Sequence, residues 1–393
     1  MSAIVESLRA TLAVSRREVK RIFSTPLLVF STMVGPVFCF VFFLTLMGKG
    51  LPDNIPVAVV DLDRSYNSRA LVRSLKAFQH THVSYYCANF SEARDLIQRG
   101  KIYGIFYIPE DFSKDLQAQR QPTISYYCNY AYYSVASLVF QDFKMMSELA
   151  IGAATRSSLR SHGAGLQTEE AFLQPVTVER HLLENPWTNY SMYLNNLLLP
   201  AVLLIFVFLT TVYTIGVELK RQTAHRWISL ARGSIFTAVA GKILPQSLIF
   251  CLMGVVYNFM MYGLLSFPCL CGIPTMLMVT FLLVFAAQGF GIFLIGLIPH
   301  LRFAMALASL WSIVGISMSG FTFPITSMPP VLKALSLCFP IRHYFLIYVC
   351  EALNGYSLYY CLPHILLLLV FMMLPLTVLY RLKGVLLTYR YEP

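Results

Sequence analysis

Charge is scarce in this chain. Only 12% of its 393 residues are Asp, Glu, Lys or Arg, while 57% are hydrophobic, proportions that exclude an ordinary soluble globular domain. No charged residue falls near the middle of any long apolar run, and intramembrane acids and bases are what ion and proton pathways need. No G-x-x-x-x-G-K-[ST] phosphate loop is present. The pair Gly241-Lys242 is followed by Ile243 and opens an apolar run, so ATP is not held by that route. The nine cysteines are odd in number and scattered, which fits neither a disulfide framework nor a metal site. Cys269-x-Cys271 lacks partner ligands. No nucleophile, base and orienting group fall together, so an enzyme is disfavoured.

What the chain does have is six uncharged runs: Leu27 to Met47, Leu197 to Val217, Ile243 to Leu265, Thr275 to Ile298, Phe303 to Phe321 and Leu362 to Tyr380. A helix needs roughly 20 residues to cross a hydrocarbon core, so each run reads as a span. The order is one span, a polar stretch of about 150 residues, then five spans. The net charge of +11 lies almost wholly on one side of that plan. With the N-terminus inside, the inner segments hold fourteen basic residues against Glu6, Glu18, Glu218 and Glu392. The outer segments are nearly balanced. The positive-inside bias then puts both termini in the cytoplasm, and the basic character reports topology rather than nucleic-acid binding. Val331 to Cys350 is apolar but carries Lys333, Pro340, Arg342 and His343. An Arg near a helix centre costs about 2.5–3.5 kcal/mol, so this segment reads as re-entrant or interfacial on the outer side, with Arg342 and His343 interfacial. The first span reads as an uncleaved anchor, since no small-x-small pattern follows Met47.

Ahead of that span, Ile4, Leu8, Leu12, Val19, Ile22 and Phe23 recur at helical spacing among Arg9, Arg16, Arg17 and Lys20, which predicts an amphipathic helix in the inner interface. The polar stretch alternates short strand-like and helix-like segments and predicts a small α/β lobe with partly parallel pairing. Its helix after the second strand is expected to be capped by Ser91. The lobe carries 13 basic against 14 acidic residues from Asp53 to Glu184, so it reads as a solvated domain and not as an anion trap. Asp61 and Asp63 read as strand-end turn residues, and His162 and His181 as solvated. Ser84-Tyr85-Tyr86-Cys87 and Ser125-Tyr126-Tyr127-Cys128 look like equivalent strand ends; a Cys87–Cys128 bridge is an expectation if those strands are neighbours. Within the spans, Gln246, Asn258, Gln288 and His364 read as interhelical hydrogen-bond partners, and Gly35-Pro36, Pro200 and Pro245 as kinks or stops.

Several segments, in order, resemble one family. Ser15-Arg16-Arg17-Glu18-Val19 precedes the first span, IPVAVVDLDRSYNSRALVRSL opens the lobe, and KIYGIFYIPEDFSKDL and QPTISYYCNYAYY follow. SGFTFPITSMPPVLKALSLCFPIRHYFLIY comes after the fifth run, with Gly320, Pro324, Met328, Pro329 and Pro340 at matching positions. The chain resembles the membrane-domain subunit of a type-2 ABC exporter with a large extracytoplasmic loop after the first span. That resemblance implies a polytopic α-helical membrane protein with six transmembrane helices and an extracytoplasmic α/β domain inserted between helices 1 and 2. Its parts would be an elbow helix (1–26), the first span (27–47), the lobe (48–196) and a five-helix domain (197–393), the last with a coupling loop (218–235) and an external re-entrant segment (322–361). Arg16, Arg17, Glu18, Glu218, Thr223 and Trp227 are then the residues expected to couple to an ATPase. Gln222 departs from the glycine often found before that threonine. No cofactor is expected on this chain, with ATP and Mg held by a cytosolic ABC ATPase subunit. The other implied partners are a second permease copy or sister permease, membrane lipid and a periplasmic adaptor protein as a further candidate, in a bacterial inner membrane. The rival reading is half of a proton-driven exporter of the RND type, and a third is an envelope sensor or scaffold.

Overall fold

The computed structural model describes residues 2–118, 120–161, 173, 185 and 189–388; His162 and His181 lie outside them. The chain divides into a helical unit, Met1–Gly50 with Leu182–Pro393, and a second unit, Leu51–His181.

In the helical unit, α1 is Ser2–Ser24, and α2 (Pro26–Leu46) is the first helix apolar and long enough to cross a membrane. Pro36 lacks the N–H that would bond the carbonyl one turn back, and its ring crowds that carbonyl. The helix answers with a π turn at Phe30–Val34 rather than a break. Four more helices pass the same test: α7 (Tyr190–Lys220), α9 (Ile235–Leu264), α10 (Ile273–Leu297) and α14 (Leu358–Thr388). Pro200 and Pro245 lie inside α7 and α9 without ending them. The fifth expected span is α11, Leu301–Ser317, apolar but only 17 residues long, about 25 Å of helix. The uncharged run continues to Phe321, but the helix stops because the chain turns at Gly320, where φ is +93°.

The segment read as re-entrant is a pair of helices, α12 (Pro330–Ser336) and α13 (Pro340–Leu353), bent by 85°. Pro340 at the first turn of α13 fits that start, since its missing N–H is unpaired there anyway. Arg342 and His343 are buried in this bend. Arg342 donates to Lys333 O (3.3 Å) and to the Ser336 hydroxyl, and His343 Nε2 lies 2.9 Å from Leu337 O. They satisfy the carbonyls at the end of α12, which offsets the cost of burying them.

The second unit is a four-stranded sheet ordered β2-β1-β3-β4. Its strands are β1 Ile55–Asp61, β2 Thr81–Cys87, β3 Gly104–Ile108 and β4 Ser125–Cys128, with β4 alone antiparallel. Among the described residues its helices are α3 (Tyr66–Leu75), α4 (Phe90–Gln98), α5 (Phe112–Gln117) and α6 (Tyr133–Ser161). Val57 and Val59 pack with Val72, Leu75, Val139 and Phe143 on one face; Ala58 and Val60 pack with Ala93 on the other. The N-cap of α4 is Asn89, not Ser91: its side chain accepts from Glu92 N (2.9 Å), and Glu92 accepts from Ala88 N (2.9 Å), one residue ahead of the cap. Asp61 and Asp63 are turn residues, accepting from Arg64 N (3.0 Å) and Ser113 N (3.2 Å).

The expected Cys87–Cys128 bridge does not form, and both thiols are free. Their strands are the two edges of the sheet, three spacings or about 14 Å apart, well beyond the ~7 Å Cα limit for a disulfide. Burial pushes the Cys128 thiol up to about 11, so it stays protonated at neutral pH.

Candidate functional site: a buried charge node

The polar chemistry of the helical unit concentrates where α1, the end of α7 and the start of α9 meet. Glu218 is third from the end of α7, and Lys242 is the eighth residue of α9. Ser234 caps α9 by accepting from Thr237 N, so that helix begins two turns before the uncharged run and carries Lys242 inside it. Lys242 Nζ lies 2.7 Å from Glu18 Oε1 and 2.9 Å from Glu218 Oε1, and all three side chains are fully buried. Arg21 reaches Glu218 Oε1 at 2.6 Å and Arg17 reaches Glu218 Oε2 at 3.1 Å. The Thr223 hydroxyl donates to the same carboxylate. The node thus sets two carboxylates against one ammonium and two guanidiniums. Ions buried this deeply stay charged only when paired and hydrogen-bonded.

The loop between α7 and α9 closes over the node. Its short helix α8, Ala224–Leu230, lays the buried Trp227 ring 4.6 Å from Lys242 Nζ, a cation–π contact. Trp227 Nε1 donates to Ala238 O at 3.0 Å. Thr223 N bonds Glu218 O (3.1 Å), so the turn out of α7 is closed by the same residue that anchors the ions. His225, Arg226 and Ser229 form the exposed side of this helix.

Small residues let α1 lie against α9. A Cβ on Gly241 would stand 2.7 Å from Thr11 O and 2.8 Å from Val14 Cβ, and Ser15 Oγ donates to Gly241 O at 2.9 Å. The docking face of α1 is therefore Ala10, Val14, Ser15, Glu18 and Ile22. Leu8, Leu12, Val19 and Phe23 of the apolar stripe are exposed instead, because the buried face follows charge pairing and close approach rather than hydrophobicity.

Of the six residues expected to act at the coupling end, Arg17, Glu18, Glu218, Thr223 and Trp227 come together, and Arg16 is exposed and apart. Sequence reasoning missed Lys242 and Arg21. The signal was a lone lysine next to a glycine, within two turns of a capping serine, at the head of an apolar run. The polar residues of the spans do pair between helices: Gln246 donates to Thr214 (3.0 Å), Ser247 to Gln288 (2.7 Å) and Asn258 to Thr280 (3.0 Å), while His364 Nδ1 lies 3.2 Å from His343 Nδ1. The five residues of the outer-loop resemblance shape turns. Gly320 takes a positive φ, Pro324 precedes a 3₁₀ turn, Pro329 and Pro340 stand at the starts of α12 and α13, and Met328 is buried.

Among the described residues, five long apolar helices, a bent apolar pair and a polar node at one end of the bundle define a multi-pass membrane protein. The family model for the ABC-2 family transporter protein matches residues 26–381, and the chain belongs to that family. It is therefore a membrane subunit of an ABC transporter, a class that works with an ABC ATPase. No curated protein matches the chain.

Proposed function

We propose that the chain is the permease subunit of an ATP-driven exporter that moves an amphipathic or envelope-related substrate out of the cytoplasm or inner leaflet. A separate cytosolic ATPase supplies ATP hydrolysis, and a second permease copy or sister permease completes the pore. The charge bias puts both termini in the cytoplasm and the α/β unit outside a bacterial inner membrane. The exposed stripe Leu8, Leu12, Val19 and Phe23 then faces the inner headgroup region.

One observation carries this reading: the buried node ties α1, α7, α8 and α9 into a single element whose outer surface, at His225 and Arg226, is exposed and polar. A force on α8 is delivered through the node to two spans at once. Arg16 and the exposed side of α8 are the surface proposed for the ATPase. Purified from its native membrane, the protein should bring a Walker-motif ATPase with it. Arg226→Glu should lower substrate-stimulated ATP turnover about tenfold by opposing the partner's charges, with the amount of folded permease unchanged. Normal turnover in that variant would remove α8 as the contact.

Two carboxylates and a lysine are also what a proton-driven pump uses. Here they sit at helix ends and are clamped by two arginines, whereas a relay needs groups free to exchange protons across the membrane. Transport driven by a proton gradient without ATP, in vesicles, would reverse the assignment.

Sidedness has its own test. Cys338, in the bend between α12 and α13, is the exposed cysteine of this chain. A membrane-impermeant maleimide should label it in cells whose outer membrane alone is opened. Labelling only after the inner membrane is breached would invert the topology.

A further inference from the structure

The balanced charge of the α/β unit conceals a local imbalance. The chain leaves β1 for α3 on one face of the sheet and leaves β2, its neighbour, for α4 on the opposite face. Open α/β sheets bind ligands outside the carboxyl ends of their strands. A cavity of about 730 Å³ occupies that place, between Val59 and Asp61 of β1, Tyr86 and Cys87 of β2, and α3. That volume suits a small molecule.

Four cations line it: Arg64, Arg69, Arg73 and Lys76. The last three are spaced four and three residues apart along α3 and its end, so they share one side. Among the described lining residues Asp61 is the one carboxylate, and both its oxygens are taken, by Arg64 N (3.0 Å) and Ser68 Oγ (2.8 Å). The ion pairs of this unit among the described residues lie elsewhere, at Arg99–Asp95, Lys114–Asp111, Arg120–Asp115 and Lys144–Glu148. The cations are held rather than neutralised. Arg69 donates to the carbonyls of Ser65 and Arg64 at 3.0 Å each. Arg73 lies 5.8 Å from the Tyr66 ring centre and Lys76 5.1 Å from that of Tyr86. A ring face attracts a cation without neutralising its charge.

We propose that this cleft binds a small oxyanion carrying two or three negative charges, of the phosphate or polycarboxylate type. Arg69, Arg73 and Lys76 donate to its oxygens, and Val59 and Val72 floor the site. The chemistry is shared by a soluble phosphate compound and by an anionic lipid headgroup. The site goes beyond the transport reading and does not depend on it, since its readout is binding without ATP.

The test uses the full chain in nanodiscs of phosphatidylcholine at physiological salt, titrated with pyrophosphate and with citrate by calorimetry. Saturable binding to one site is expected for at least one of them. The Arg73→Gln/Lys76→Gln double variant, whose residues are exposed, should bind about tenfold or more weakly, the loss of two charge-assisted donors. Arg94→Gln/Lys101→Gln removes the same charge elsewhere in the unit and should bind normally. If the first double variant does not fold, Lys76→Gln alone takes its place, with a smaller loss. Adding phosphatidylglycerol to the discs distinguishes the sources: competition with pyrophosphate makes the occupant a headgroup, and its absence a soluble anion. Equal weakening in both double variants, or no saturable binding of either anion, would overturn the site.

Discussion

Glu218→Gln is expected to destabilise the helical unit by about 3–5 kcal/mol, the usual cost of removing one partner from a buried ion pair. The substitution leaves Lys242, Arg17 and Arg21 facing Glu18 alone, which adds one unit of uncompensated charge beside the fully buried Lys242 and Glu18 side chains. Lys242→Met leaves two carboxylates against two guanidiniums and loses two charge-assisted bonds, so it should cost less, about 1.5–3 kcal/mol. The double variant restores the original imbalance and should cost less than the two single costs added, by about 1–3 kcal/mol. Arg17→Gln should cost under about 1 kcal/mol, because its side chain is 27% exposed and water can replace it. Resistance to heating in detergent, scored as the fraction remaining monodisperse, measures all four. Strictly additive losses would mean that Glu218 and Lys242 do not pair. Reduced transport in a Glu218 variant must therefore be corrected for the amount of folded protein before it says anything about the ATPase.

The second large effect is expected at Gly289. A Cβ there would overlap the Phe371 carbonyl oxygen and stand 2.8 Å from Met372 Cα, so α10 and α14 touch backbone to backbone. Neither atom belongs to a side chain that can rotate away. Gly289→Ala should cost about 1–3 kcal/mol as the helices separate, and Gly289→Leu should prevent accumulation of the folded protein. Gly384→Ala, in the same α14 but with nothing within 4 Å of the new carbon, should be neutral or stabilising by up to about 1 kcal/mol through helix propensity. If the two alanine variants melt alike, the α10–α14 contact is looser than the structure places it.

The parts of the fold legible in sequence were those set by short-range pattern. Alternating strands and helices, with turn residues at Asp61 and Asp63, located the α/β unit, and uncharged runs located the long helices to within a few residues of most ends. Three features were not legible, each for a physical reason. Lys242 bounded an uncharged run, so the charge itself hid that the helix had already begun; only its pairing with Glu18, 224 positions away, and with Glu218 makes burial tolerable. The docking face of α1 was masked because its exposed leucines look more buried than its serine and glutamate. The identical Ser-Tyr-Tyr-Cys strand ends suggested neighbours, but sheet order depends on how the connections cross, and β1 and β3 lie between them. The four cations around the sheet's crevice escaped notice for a related reason: a charge sum over 130 residues cannot register that three of them share one helix face.

The node also sets an order of assembly. Its ions come from residues 17–21, 218 and 242, and the Glu18–Lys242 pair spans 224 positions of sequence. A ribosome adds residues one at a time, so Arg17, Glu18 and Arg21 exist before Glu218 arrives with the second long helix and Lys242 with the third. The first helix can take its seat only when α7 and α9 have both arrived. Closure of the node therefore marks the moment at which the beginning of the chain is locked to its middle, and a chain halted before residue 242 cannot reach it.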